Sequence, residues 1–115
     1  MTSGTVYKIC SAEDWRKAVR EGRYCGAEID LRDGFIHLSA PDQVRETAFL
    51  HMRGIGGLVL VSVAADRLGT SLKWETSRGG QLFPHLYGEL PLEAVTDTRP
   101  LPLGDDGRHV FPDDL

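Results

Sequence analysis

Cysteine is scarce in this chain, with Cys10 and Cys25 the two among 115 residues. They form no Cys-x-x-Cys pair, which argues against the common structural zinc patterns. One disulfide stays open by counting, whereas a reducing compartment predicts two free thiols. Neither cysteine has a histidine beside it in sequence, which disfavours a Cys-His nucleophile. Basic blocks are also missing: Lys+Arg number 13 against Asp+Glu 17, for a formal net charge of -4. Broad binding to duplex DNA is therefore not expected, although a local cationic pocket is compatible with this balance. The longest apolar run, Gly57 to Ala65, is far too short to cross a bilayer. Met1 to Thr5 lacks a basic stretch leading into an apolar core. A cytoplasmic location without a membrane partner is expected. No Gly-x-Gly-x-x-Gly or Walker-type run is present, so the phosphate-loop fingerprints fail.

What is present suits one ordinary domain. Hydrophobic residues make up 41% and charged residues 26%, a balance typical of globular proteins. The length fits a single domain spanning 1–115, with a core over about 5–101 and a loosely held tail over 102–115. Val6 to Cys10 reads as a strand, and Ser11 with Asp14 reads as a capping box opening a helix that Gly22 stops. Residues 22–34, holding Gly22, Gly26 and Gly34, are expected to be mostly loop. Phe35 to Leu38 predicts a strand with Ile36 and Leu38 on one face and Phe35 and His37 on the other. Ser39 and Asp42 repeat the capping pattern, with Pro41 in the first turn, and predict a helix ending near Gly54. Leu58 to Ala64 predicts a strand buried on both faces. Leu72 to Glu75, Leu82 to Tyr87 and Ala94 to Leu101 follow as strands, with a flexible turn at Ser77 to Gly80. There is no internal repeat or low-complexity tract, and the element order predicts an α+β fold.

Three places could carry chemistry. His37 sits at a strand end just before the helix start expected at Ser39. Free N–H groups and the helix dipole would make an anion-binding corner there, with the Ser39 hydroxyl. A core histidine bonded to backbone is the competing reading. His85 and Tyr87 share a strand face with Phe83, a set suited to stacking on and hydrogen-bonding a planar ring; a bend set by Pro84, with Tyr87 bonded to backbone, would explain the same residues. Glu75 follows Trp74, whose apolar surface could raise the carboxyl pKa for general-base work. A solvated edge glutamate is the alternative. Arg78 in the glycine-rich turn could close over an anion. His51 is expected on its helix stripe and His109 in the tail. A metal site from His37, Glu75 and His85 lacks tight ligand spacing, so no metal is expected.

The chain also resembles the family catalogued as domain of unknown function 952. The similar segments are Val6-Tyr7-Lys8-Ile9, Trp15 with Ala18 and Gly22, Asp30, Asp33 to Ser39, Gln43, Lys73-Trp74-Glu75 and Phe83 to Gly88. The resemblance implies an ADP-ribosyltransferase-like fold: two small, mostly antiparallel sheets packed across a cleft, with two flanking helices. Transferases of that type bind NAD in the cleft, so NAD is an implied cofactor. They use a histidine or arginine on the first strand, a Ser or Tyr on a later one and a glutamate near the end. This chain has Lys8 at the first position, Ile36-His37 around the second and Glu89 near the last, so those roles are not carried over. The combined expectation is a domain that binds a nucleotide-like or phosphorylated small molecule in the cleft. Glu75 and His37 are the catalytic candidates, and Ser39, Trp74, His85 and Tyr87 the ligand-binding ones. Group transfer and ligand binding without turnover are both compatible with that set.

Overall fold

The computed structural model of the chain describes residues 4–113 and 115, with the Arg78 side chain outside that set. In chain order the elements are β1 (Thr5–Ser11), α1 (Ala12–Glu21), β2 (Arg23–Tyr24), α2 (Glu28–Asp33), β3 (Ile36–His37) and α3 (Val44–His51). Then follow β4 (Leu58–Ala64), β5 (Leu72–Thr76), β6 (Leu82–Leu86), β7 (Leu90–Pro91) and β8 (Val95–Leu101). The strands form three antiparallel sheets, ordered β1-β4-β8, β2-β7 and β3-β6-β5. The α+β class agrees with the sequence reading. Among the described residues, the expected pair of sheets with two helices is corrected to three sheets and three α-helices.

Strand alternation explains why the β1-β4-β8 sheet is covered on both sides. Val6 and Cys10 of β1, with Val61 and Val63 of β4, enter one core with Ile36, Leu38 and Leu86. Tyr7, Ile9, Leu58 and Leu60 enter a second with Val44 and Ala48 of α3 and Leu101. Each such aliphatic side chain stabilises the fold by about 1.5–3 kcal/mol when fully buried. Phe111 and Leu115 pack against the second core. Among the described residues no helix is long and apolar enough to cross a membrane.

The two three-stranded sheets are joined by a bridge in which Tyr7 N–H donates to Ser39 O at 2.8 Å and Ser39 N–H to Tyr7 O at 2.9 Å. This bridge corrects the expected helix start. Ser39 is committed to β1, the Ala40 N–H is taken by Gln43 Oε1 at 3.0 Å, and α3 begins only at Val44. By contrast, Ser11 caps α1 as expected, its Oγ accepting from Asp14 N–H at 3.0 Å, and Gly22 ends that helix at φ 82°.

The 22–34 stretch expected as loop holds β2 and α2. The start of α2 carries Ala27, which has no capping oxygen. Asp30, inside the first turn, reaches back instead and accepts from Ala27 N–H at 2.7 Å. Gly34, at φ 86°, closes the helix with its N–H on Asp30 O. These contacts place Asp30 beside β1 and β3.

Candidate functional site

Register on the β3-β6-β5 sheet builds the site. His37 lies opposite His85, Lys73 opposite His85 and Glu75 opposite Phe83. Directly opposed residues of antiparallel strands share a face, so these side chains stand on one side of the sheet. Ile36, Leu72 and Leu86 stand on the other, toward the core. Phe35 and Tyr87, just beyond the ends of β3 and β6, complete the face. The Phe35 ring lies 4.1 Å from His85 and close to parallel with it, 4.5 Å from His37 and 5.3 Å from Tyr87. The two imidazoles are 5.7 Å apart, edge to face.

The first polar group centres on Asp30, which is 2% exposed. Its two oxygens receive four donors: Lys8 Nζ at 2.8 Å, Ala27 N–H at 2.7 Å, His37 N–H at 3.1 Å and His37 Nδ1 at 2.6 Å. Burial alone would raise the carboxyl pKa, but Lys8, the Ala27 N–H and His37 together hold it below the usual carboxylate range. Lys8 also donates to His37 O at 3.3 Å. The other ring nitrogen of His37, Nε2, faces Asp33 Oδ2 at 3.1 Å. Both nitrogens of His37 are thus directed at carboxylates.

The second group is His85, Glu75 and Tyr87. Glu75 Oε1 accepts from Tyr87 Oη at 2.7 Å and lies 2.8 Å from His85 Nδ1. Hydrogen bonds from Tyr87 and His85 hold the Glu75 carboxyl below its ordinary range, and the same bond pushes the Tyr87 phenol up. An ionised carboxylate can only accept, so Nδ1 of His85 carries the proton, and the neutral ring keeps its lone pair on Nε2. Among the described residues, only Tyr24 Oη and His109 Nδ1 are both sealed from solvent and unpaired. His85 is 6% exposed, and Nε2 is the nitrogen of its ring that Glu75 does not engage.

The structure thus brings His37, Glu75, His85 and Tyr87 together and separates the other candidates from them. Ser39 is buried, its Oγ donating to Thr47 Oγ1 at 3.2 Å; with no helix N-terminus beside it, the expected anion corner does not form. Trp74 lies opposite Pro84 on the reverse face of β5 and is 41% exposed, so it does not lift the Glu75 pKa; the shift is downward. Glu89 pairs with Arg23 at 2.8 Å, outside the cluster. His51 is exposed on α3 and His109 bonds to Ile55 O at 2.7 Å. The Arg78 side chain lies outside the described residues. Both cysteines are free; burial pushes the Cys10 thiol up to about 12, which makes it a poor nucleophile. Among the described residues, no three His, Cys, Asp or Glu side chains converge as metal ligands would.

NAD is a poor match for this face. Toward its pyrophosphate the described residues of this face offer the exposed Lys73, while Asp30, Asp33 and Glu75 flank the two histidines and Lys8 is buried against Asp30. Like charges brought together in this way oppose binding.

Sequence reasoning did not bring Lys8, Asp30, Asp33 and Phe35 into the site. Two signals were available. Lys8 lies between Val6 and Cys10 on an otherwise apolar face of β1, and a buried ammonium requires a carboxylate partner. Phe35 shares the alternating face of His37.

Residues 9–98 match the sequence model of a family described as protein of unknown function (DUF952). The crystal structure of protein CC0527 from Caulobacter crescentus is similar at 49% identity, covering 92% of this chain and 93% of that one, with a TM-score of 0.90. The solution NMR structure of CC0527 matches at 49% identity over 100% of this chain and 97% of that one, with a TM-score of 0.86. A search of the curated proteins gives no match.

Proposed function

The chain belongs to the DUF952 family, whose function is unknown, and we propose that the aromatic face of its β3-β6-β5 sheet binds a nucleotide-like small molecule through ring and hydroxyl groups, with His85 transferring a proton. The observation that carries this is the 2.8 Å contact of His85 Nδ1 with Glu75, which leaves Nε2 as the acceptor nitrogen of the ring. In group transfer, Nε2 takes the proton of a ligand hydroxyl as that oxygen attacks its acceptor, and the proton then passes to the leaving group. Glu75 stays ionised and stabilises the transient imidazolium. Tyr87 holds Glu75 in place. His37 and Asp33, each about one-third exposed in their side chains, meet a further hydroxyl of a ribose-like portion. The carboxylates favour a ligand held by its ring and hydroxyls over one held by phosphate. The ADP-ribosyltransferase-like fold that the resemblance implies enters only as a precedent for a ligand lying against a small antiparallel sheet.

Binding without turnover is the second reading, favoured by the 4.1 Å packing of Phe35 across the His85 ring. Chemical-shift mapping of the isotopically labelled full chain with adenosine, other nucleosides and AMP tests the site. Saturable perturbation of Phe35, His37, His85 and Tyr87 by a nucleoside, no weaker than by AMP, is the expected outcome. Silence of these residues toward every nucleoside at millimolar concentration would overturn it. Once a reactive ligand is found, Glu75→Gln separates the two readings: catalysis requires a large loss of turnover with binding retained.

A further inference from the structure

β5 is the outer strand of the β3-β6-β5 sheet, and among the described residues its far edge is bonded to no other strand. We infer that this edge pairs with the same edge of a second copy of the chain, antiparallel and centred on Trp74, and that the pairing brings Lys73 of each copy to Glu75 of the other.

The backbone of β5 decides which groups are offered. Tyr87 N–H donates to Ser71 O at 2.8 Å and Ser77 N–H to Gln81 O at 2.8 Å, so the odd-numbered residues of this stretch turn their peptide groups toward β6. Pro84, opposite Trp74, turns its carbonyl the other way and accepts from Leu38 N–H at 3.1 Å, as the same alternation requires. Leu72, Trp74 and Thr76 therefore direct their backbone groups outward. Leu72 N–H is taken by Gly69 O, which leaves Leu72 O and both backbone groups of Trp74 and Thr76 for a further strand. An unpaired ladder is a template for another chain, and edges that stay single are commonly interrupted by proline or a bulge. β5 carries neither, and Trp74 stands 41% exposed at its middle. Leu82, 53% exposed, lies beside Thr76 on the same reverse face.

Charge selects the partner and the register. Outward-facing residues must meet outward-facing residues, so the two-fold registers that pair most of this strand with itself place Lys73 opposite Lys73, Glu75 opposite Glu75, or Trp74 opposite Trp74. The first two set like charges against each other where opposed side chains come closest. The third sets Lys73 of each copy against Glu75 of the other, on both sides of the two-fold axis, and stacks the exposed Trp74 rings on the reverse face. Trp74 N–H of each copy then donates to Trp74 O of the other, and Thr76 N–H to Leu72 O. Lys73 is suited to this role, being exposed and without a hydrogen bond or ion-pair contact among the described residues. Both bonds that Glu75 receives within its own chain fall on Oε1, so Oε2 is the oxygen that meets the incoming ammonium. Lys73 and Glu75 stand on the face that carries His85. Each copy thus supplies a cation to the aromatic face of the other.

Sedimentation equilibrium of the full chain at low salt tests the inference. The strand has 5 residues, and an interface built on one short edge is small, so the expected result is a reversible dimer with a dissociation constant on the order of 10–100 µM that weakens as salt is added. Lys73→Glu opposes Glu75 with a like charge and should weaken the dimer tenfold or more; its exposed position lets the fold survive the change. Glu75→Lys should weaken it to a similar degree. Mixed in equal amounts, the two variants are complementary at both charge pairs and should recover the wild-type affinity within several-fold. A wild-type chain that stays monomeric at about 1 mM overturns the inference. An assembly that Lys73→Glu leaves intact also overturns it, because the contact then lies elsewhere. Failure of the mixture to associate, when each variant melts as the wild type does, is equally decisive against it. The dimer needs no ligand, so this inference and the ligand reading of the aromatic face stand or fall separately.

Discussion

At the scale of single residues, the buried Lys8–Asp30 pair dominates. Their side chains are 5% and 1% exposed, and removing one partner leaves the other charge buried and uncompensated. Lys8→Met should destabilise the fold by about 3–5 kcal/mol in denaturant melts. The pH dependence follows from the depressed Asp30 carboxyl. A group that ionises more easily folded than unfolded adds stability above its unfolded pKa, ordinarily 3.8, and loses it as pH falls through the lower folded value. Wild-type stability should therefore fall steeply below about pH 4, and Asp30→Asn should be weaker at neutral pH with a flatter acid limb. Glu75 gives a separate check by carbon NMR. Its carboxyl should titrate below 4.5, and Tyr87→Phe should move the midpoint upward, since Tyr87 is the main donor. Period-2 alternation made His37 legible beside Phe35 and His85 beside Tyr87, whereas Glu75 was singled out for its neighbour Trp74 and joins them through the register of β5 on β6. Asp30 was not legible, because its role arises from contacts 7 and 22 residues away in sequence.

At the scale of elements, the strands were more legible than the helix boundaries. Leu58–Ala64 follows from its apolar run, whereas Ser39 carries a helix-capping pattern that the structure overrides. A cap contributes about 1 kcal/mol, and two backbone hydrogen bonds to Tyr7 plus burial of Leu38 and Ala40 compete successfully with it. The short α2 was hidden for the opposite reason, since its start has no capping side chain and its carboxylate sits inside the first turn. Gly26 is the sensitive point of this element. It adopts φ 115°, and a Cβ there would lie 2.8 Å from the Asp30 Cβ. Gly26→Ala should cost about 1 kcal/mol or more and broaden or shift the His37 ring signals, a combination visible in thermal melts and imidazole NMR.

At the scale of the whole molecule, composition and element order were enough for the α+β class, but not for the division into three sheets. The two-stranded β2-β7 sheet pairs residues 23–24 with 90–91, a contact too short and too distant in sequence to leave a periodic signal. The Tyr7–Ser39 bridge joins the two larger sheets and brings Lys8 of one under His37 of the other. The fold thereby supports the first histidine from beneath while Glu75 supports the second from the side. This architecture makes Nε2 the acceptor nitrogen of the His85 ring. A long-range proton–nitrogen correlation spectrum of the imidazoles, recorded at a pH where His85 is neutral, tests it directly. The expected result is a His85 ring protonated at Nδ1, with an unprotonated Nε2. A ring protonated at Nε2, with Nδ1 bare toward Glu75, would rule this assignment out.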